Sequence, residues 1–302
     1  MTSGLVQIET GPVAQRRPDW LKVRLPGGDN YFELKRLMRS LELHTVCESA
    51  RCPNVAECWG HRTATFMILG NLCTRTCAFC TVPKGKPLPL DLAEPERVGE
   101  AAAAMGLRYV VVTSVDRDDQ EDGGAAIFAR TIGALRRRID GVQVEVLIPD
   151  FRGSPEALRT VLDAGPDVLN HNIETVPRLY PVVRRGSRFD RSLGLLKRAR
   201  EIAPSIPTKS GLMVGLGETS EEVRSVLAEL ALAGVSIVTV GQYLRPSGRQ
   251  LPVARFYTPD EFAALKREGE RLGIGHVESG PLVRSSYHAH QQTEALRGHA
   301  SA

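Results

Sequence analysis

Six cysteines stand between Cys47 and Cys80, and the rest of the 302-residue chain has none. Spacing divides them into two triplets: Cys47, Cys52 and Cys58 form C-x4-C-x5-C, and Cys73, Cys77 and Cys80 form C-x3-C-x2-C, with Phe79 just before the last. A secreted disulfide framework spreads its cysteines through a much smaller chain, so this crowding points to metal. Zinc is one reading, but structural zinc takes four ligands per ion. His44 and His61 flank the first triplet and would have to complete two sites, and neither lies at a finger spacing. A lone histidine beside a metal motif is ordinarily a polar surface residue. An iron–sulfur cubane explains the deficit better, because three thiolates leave one iron open to bind something else. C-x3-C-x2-C also departs from the C-x2-C-x2-C run of ferredoxins, whose task is to carry an electron.

Ligands this close together need a frame. From Thr65 onward, runs rich in Val, Ile and Leu alternate with amphipathic stretches, which is the pattern of βα units around a buried parallel sheet. Strands are expected at 65–70, 109–114, 144–149, 167–173, 210–216 and 236–243. Helices are expected at 95–105, from 124, at 154–164, from 190, from 220 and at 258–273, with Ser154 and Ser220 as N-caps. A further helix is expected at 32–43, and the chain after His276 reads as irregular with a frayed end. GLGET at 215–219 lacks both GxGxxG and a Walker lysine and reads as a tight turn into a helix. The series implies either an open doubly wound sheet or a complete or partial barrel, and the sequence does not separate them. In a barrel, the second cysteine triplet would follow the first strand, where βα loops assemble catalytic groups.

Thirty-nine basic against thirty-five acidic residues leave a net charge of +4, too little to announce a nucleic-acid binder. The first twenty residues lack the pattern of a signal peptide, and no apolar run approaches membrane-spanning length. A soluble, cytoplasmic protein with no nucleic-acid or membrane partner is expected. Arg136-Arg137-Arg138 and Lys197-Arg198 read as solvated helix faces, with docking of an acidic carrier protein as the alternative.

CTRTCAFC after the first strand of a βα series resembles the radical S-adenosylmethionine enzymes. With ESARCPNVAECWGHRTATFMILGN, TSVDRDDQEDGGA, NHNIETVPRLY, TKSGLMVGLGET, GQYLRPS and GPLVRSSYHA, the chain is similar to the lipoyl synthase family from about Pro18 to His290. The resemblance implies an α/β fold, a partial (βα)6 TIM-type barrel at 65–275. Residues 1–64 would be an N-terminal extension carrying auxiliary cluster ligands, and 276–302 a C-terminal extension with the RSSY segment. It implies two [4Fe-4S] clusters and S-adenosyl-L-methionine as cofactors. Cys73, Cys77 and Cys80 would hold the cluster whose open iron chelates S-adenosylmethionine and generates a 5′-deoxyadenosyl radical. Cys47, Cys52 and Cys58 would hold the auxiliary cluster, with Ser286 as its fourth ligand. The implied reaction inserts two sulfur atoms, at C6 and C8, into a protein-bound octanoyl group, with the auxiliary cluster as donor. No cysteine outside the triplets is left to carry a persulfide.

Position at strand ends makes Thr113, Ser114, Asp116, Asn172 and Glu174 candidates to line the S-adenosylmethionine site, against the ordinary reading of such residues as caps and loop bonds. The implied partners are an octanoylated lipoyl domain or carrier protein, a low-potential electron donor such as flavodoxin or ferredoxin, and an iron–sulfur cluster repair protein. Two departures from the family pattern concern loop shape: Thr81 after the last cysteine, where many relatives have an acidic or small residue, and Arg185-Gly186-Ser187 in place of Arg-Pro-Gly.

Overall fold

Runs such as YVVVTS need burial on both faces, and one sheet with helices outside it supplies that burial. The computed structural model describes residues 16–300 apart from Arg24 and Arg62. Eight strands pair in chain order: β1 His44–Thr45, β2 Thr65–Ile68, β3 Tyr109–Ser114, β4 Gln143–Leu147, β5 Val168–Asn170, β6 Thr208–Val214, β7 Ile237–Gln242 and β8 His276–Gly280. All neighbours from β2 to β8 are parallel, while β1 runs antiparallel to β2 through His44 opposite Met67. The edges β1 and β8 do not pair with each other, so the barrel is partial.

Ahead of β2 lie α1 (Asp29–Ser40), α2 (Val46–Ser49) and α3 (Val55–Gly60). Then α4 (Glu94–Ala104), α5 (Ala125–Arg138) and α6 (Pro155–Asp163) follow β2, β3 and β4. The short α7 (Tyr180–Val183) precedes α8 (Phe189–Ile202), both after β5, and α9 (Ser220–Leu232) and α10 (Pro259–Arg271) follow β6 and β7. That makes six βα units. Helix α11 (Ala289–Ala300) ends the chain's described part after β8.

Two apolar clusters form the core. One packs α1, α4, α5 and α6 on β2–β5, around Phe66, Phe128 and Leu158, and the other packs α9 and α10 on β6–β8, around Leu227 and Phe262. Burying each such side chain contributes roughly 1.5–3 kcal/mol. Within the barrel the chemistry is polar. Lys209 Nζ donates to both oxygens of the fully buried Glu145 at 2.9 and 3.1 Å, and Asn170 donates to the same carboxylate at 2.9 Å. Tyr109 hydroxyl donates to Glu145 at 2.8 Å and lies 3.0 Å from the Thr293 hydroxyl, which ties α11 to this layer.

Two expectations need correction. The chain after His276 is not irregular: β8 pairs with β7 from His276 opposite Ile237 to Gly280 opposite Gly241, and α11 follows. Neither has a clear apolar period, since β8 mixes Glu278 and Ser279 with Val277 and α11 buries Gln292 and Thr293. Ser154 does cap α6, but α9 is capped by Thr219 rather than Ser220. Thr219 and Glu222 stand three residues apart and form a reciprocal capping box.

Candidate functional site

At the C-terminal ends of the strands a cavity of about 860 Å³ is lined by all six cysteines, by Thr113, Ser114, Asp116, Asn172 and Glu174, and by Arg284, Ser285 and Ser286. Residues more than two hundred positions apart in sequence, such as Cys47 and Ser286, therefore line one cavity.

The loop carrying Cys73, Cys77 and Cys80 leaves β2 through Leu69 and Gly70, both with positive φ (70° and 84°). Glu94 at the start of α4 accepts from the Leu69 amide at 2.7 Å and fixes that exit. Inside the loop Arg75 is nearly sealed from solvent and reaches three strand-end carboxylates: Asp118 at 2.8 Å, Asp150 at 2.6 Å and Asp116 at 3.3 Å. Thr74 adds bonds to the Asp116 carbonyl and from the Asp118 amide, both at 3.0 Å. Cys73 Sγ accepts from the Asp116 amide at 3.4 Å. The Cys77 carbonyl accepts from Lys84, the Cys80 carbonyl from Gln250 at 3.3 Å, and Ala78 N–H donates to the Val183 carbonyl at 2.9 Å.

Cys47 lies in α2, capped by Thr45, and Cys58 lies in α3, with Cys52 in the turn between them. This group is joined to the chain's far end. Asn54 donates to the Leu282 carbonyl at 2.7 Å, and Glu57 accepts from Tyr287 hydroxyl at 2.9 Å with His288 at 3.1 Å. Gly241 of β7 admits that segment, because a Cβ there would strike the Val283 carbonyl oxygen. Both family departures carry hydroxyls used here: Thr81 donates to the Ser49 carbonyl at 2.7 Å, linking the two cysteine segments, and Ser187 accepts from Arg75 at 3.2 Å.

All five strand-end candidates face the cavity, with different engagements. Thr113 hydroxyl is bound to the Leu147 carbonyl at 3.0 Å, whereas the buried Ser114 hydroxyl has no partner among the described residues. The Asn172 amide is 2.7 Å from Ser285 Oγ, where Gly211 leaves room for both. Glu174 has φ 66°, the left-handed region, so the chain bends out of the sheet after Asn170 instead of continuing to 173. Ser286 lines the cavity with no side-chain hydrogen bond among the described residues, unlike Ser285.

Burial pushes the Cys47 and Cys73 thiols up to about 11 and those of Cys58 and Cys77 to about 12. Cys52 and Cys80 rise for the same reason. Burial also raises Asp116 and Glu174, against the opposing charges of Arg75 and Arg184 for the first and Arg184 for the second. Two arginines face the triplets, the buried Arg184 toward Cys77 and the half-buried Arg284 toward Cys52. Arg184 is held by the Asn172 carbonyl at 2.7 Å and by Ser192 hydroxyl at 3.1 Å.

Among the described residues no three His, Cys, Asp or Glu side chains converge on a single-ion site. The donor set suits clusters: six unbridged thiols surround a cavity, and one arginine per triplet does not balance three thiolates. Desolvated thiolates of this kind require metal charge beside them. Arg75, Arg184 and Arg284 were not among the expected site residues. Arg75 had a signal in its place inside C-x3-C and in the acidic VDRDD stretch, whereas nothing local marks Arg184 as buried.

The family model of the radical SAM superfamily matches residues 67–230, and that of the N-terminal domain of lipoyl synthase matches residues 3–52. Lipoyl synthase of Koribacter versatilis is 57% identical over 298 residues, 98% of each chain. That of Rubrobacter xylanophilus is 60% identical over 281 residues, covering 93% of this chain and 88% of the relative. Among solved structures, the FeFe-hydrogenase maturase HydG from Carboxydothermus hydrogenoformans superposes with a TM-score of 0.56 at 16% identity, over 88% of this chain and 69% of that one. Methylornithine synthase does so at 0.50 and 17%, over 76% and 64%. Such identities speak for the fold alone.

Proposed function

The chain belongs to the lipoyl synthase family of radical S-adenosylmethionine enzymes, and we propose that its two cysteine triplets divide the family's reaction between them across one cavity. The activity is insertion of two sulfur atoms into an octanoyl group carried by a protein, at C6 and C8, with S-adenosylmethionine and [4Fe-4S] clusters as cofactors. When bound, these groups supply a carbon-centred radical on one side and sulfide on the other. The observation that carries the division is that both triplets open on the same space of about 860 Å³.

In this reading Cys73, Cys77 and Cys80 hold the radical-generating cluster, while Cys47, Cys52, Cys58 and Ser286 hold the sulfur donor. The free hydroxyl of Ser286 supports its role as a ligand, and the bonding of Ser285 to Asn172 argues against that neighbour. Thr113, Ser114, Asp116, Asn172 and Glu174 line the S-adenosylmethionine site. The unpartnered Ser114 hydroxyl supports an occupant there, since a buried polar group without a partner costs about 1–3 kcal/mol. Arg184 and Arg284 offset part of the charge of the triplets they face. The division into an extension at 1–64, a catalytic barrel at 65–275 and an extension at 276–302 belongs to the same proposal. So do a flavodoxin- or ferredoxin-type donor and a cluster repair protein, which a consumed sulfide donor would require. A cytoplasmic location fits six free thiols, which need a reducing compartment; no helix among the described residues is long and apolar enough to cross a membrane.

The test is mass spectrometry of an octanoylated lipoyl-domain peptide after anaerobic incubation with reductant and S-adenosylmethionine. Two added sulfurs are expected, heavy when the clusters were rebuilt with heavy-isotope sulfide. Light sulfur at both positions would overturn the donor assignment, and an unchanged octanoyl group would overturn the activity.

A further inference from the structure

We propose that the mouth of the cavity, formed by Arg17, Val23, Arg51, Lys84 and Arg245, docks an acidic face of the domain that carries the octanoyl group. The inference rests on the reading above that the substrate is protein-borne: a side chain reaching into the cavity brings its domain's surface against the rim. All five residues line the cavity and are exposed. No described carboxylate pairs with the four cations. Among the described residues, Arg51 and Arg245 touch only backbone carbonyls, of Pro246 and of Gly248 and Gln250, Lys84 touches that of Cys77, and Arg17 has no hydrogen bond.

Carboxylates of the cavity do not cancel this charge at the mouth. Asp116 is paired with Arg75, Glu57 is bound by Tyr287 and His288, and the half-buried Glu174 faces Arg184 and Arg284. The rim thus presents a positive field outward, of the kind that steers an acidic partner and fixes its register. Val23 on the rim is 40% exposed, and Trp20 and Leu25, close to it in sequence, are 43% and 90% exposed. Apolar anchors ringed by charge are the usual makeup of a binding hot spot.

Of the two basic helix faces at Arg136–Arg138 and Lys197-Arg198, the first does not fit this role. Arg136 pairs with Asp167, and Arg137 and Arg138 with Glu96. They end α5, which leads into the start of β4, so they stand at the end of the barrel opposite the cavity.

The experiment uses cluster-loaded protein and an intact octanoylated lipoyl domain without tryptophan. Trp59 is fully buried, so a change of emission on binding reports the environment of Trp20. The dissociation constant is expected to rise about tenfold between roughly 0.05 and 0.5 M salt. Arg17→Glu with Arg245→Glu should raise it at least about tenfold at low salt. Arg17→Glu alone, at a side chain with no hydrogen bond to lose, should give a smaller rise in the same direction. Arg137→Glu with Arg138→Glu should leave binding unchanged. Salt-independent binding, or affinity unaltered by the rim reversals, overturns the docking surface. If the unmutated protein fails to thiolate even the peptide, it is the activity reading that falls.

Discussion

Cys73, Cys77 and Cys80 occupy a loop without regular structure, yet that loop is fastened to the stiffest part of the molecule. Arg75 joins it to the ends of β3 and β4 through three carboxylates, and Thr74 adds two more bonds to the same strand end. Cys47 and Cys58 lie instead in short helices, and much of what fastens those helices comes from the chain's far end, at Leu282, Tyr287 and His288. One triplet is tied to the sheet and the other to a terminal strap. On the proposed division the difference would suit the two tasks: a radical source has to keep its geometry through every turnover, whereas a donor that gives up sulfide has to be released and rebuilt.

Removing the ligands gives the largest effect and tests the division directly. Alanine at Cys73, Cys77 and Cys80 should abolish reductive cleavage of S-adenosylmethionine, whereas alanine at Cys47, Cys52 and Cys58 should leave cleavage measurable and abolish thiolated product. Chromatography of 5′-deoxyadenosine beside the mass of the peptide separates the outcomes; equal loss of both reactions in folded protein breaks the comparison.

Arg75→Met should cost about 3–5 kcal/mol in urea unfolding, because a buried ionic cluster loses its cation. Asn54→Ala, which cuts one bond to the terminal strap, should cost only about 1 kcal/mol. The acid limb sharpens this. Burial pushes the Asp150 carboxyl up, but hydrogen bonding and charge from Arg75 reverse the shift and bring it down to about 2. A depressed carboxyl contributes stability that is present above its ordinary value near 3.8 and lost as pH falls toward 2. That loss should vanish in Arg75→Met.

Ser286→Ala should leave a cluster that assembles on three thiolates but inserts no sulfur, with an altered spectrum. Ser285→Ala removes a bond to Asn172 and should leave that spectrum unchanged. The reverse pattern would move the ligand by one residue.

A last prediction concerns His171, which supports the sheet-bound side through Ile148 carbonyl at 2.8 Å and Ser192 hydroxyl at 2.9 Å. Burial lowers its pKa to about 3, so it stays neutral in the fold while the unfolded chain takes a proton below 6.5. Stability should therefore fall by up to about 1.4 kcal/mol per pH unit from 6.5 toward 3. In His171→Gln that slope should be absent from the unfolding curves.

Most of the frame was legible along the chain. Strands of Val and Ile and helices with a clear apolar stripe appear within a few residues of their expected bounds, as β3 at Tyr109–Ser114 does. Of the elements that escaped, β1, α2, α3 and α7 are only two to six residues long, and β8 and α11 bury polar side chains whose partners are remote, as Thr293 does beside Tyr109. The site divides the same way. Six cysteines in two spaced triplets declared two metal centres lacking a fourth thiol, because ligand chemistry and short spacing are local properties. Arg75 was marked by its place inside C-x3-C, but Arg184 and Arg284 did not declare themselves, since an arginine that will turn inward reads like any surface cation until its partners arrive from other elements.

The sequence by itself determined the alternation of elements, the ligand types and the family, all of which depend on residue identity and short-range order. Only the tertiary structure decided that both triplets share one cavity, that Ser285 is engaged and Ser286 free, and that the basic surface left without carboxylates lies at the mouth rather than at Arg136–Arg138. Those depend on which charges and hydroxyls meet across the barrel, and contacts between residues as distant as Asn54 and Leu282 exist only once the chain has closed on itself.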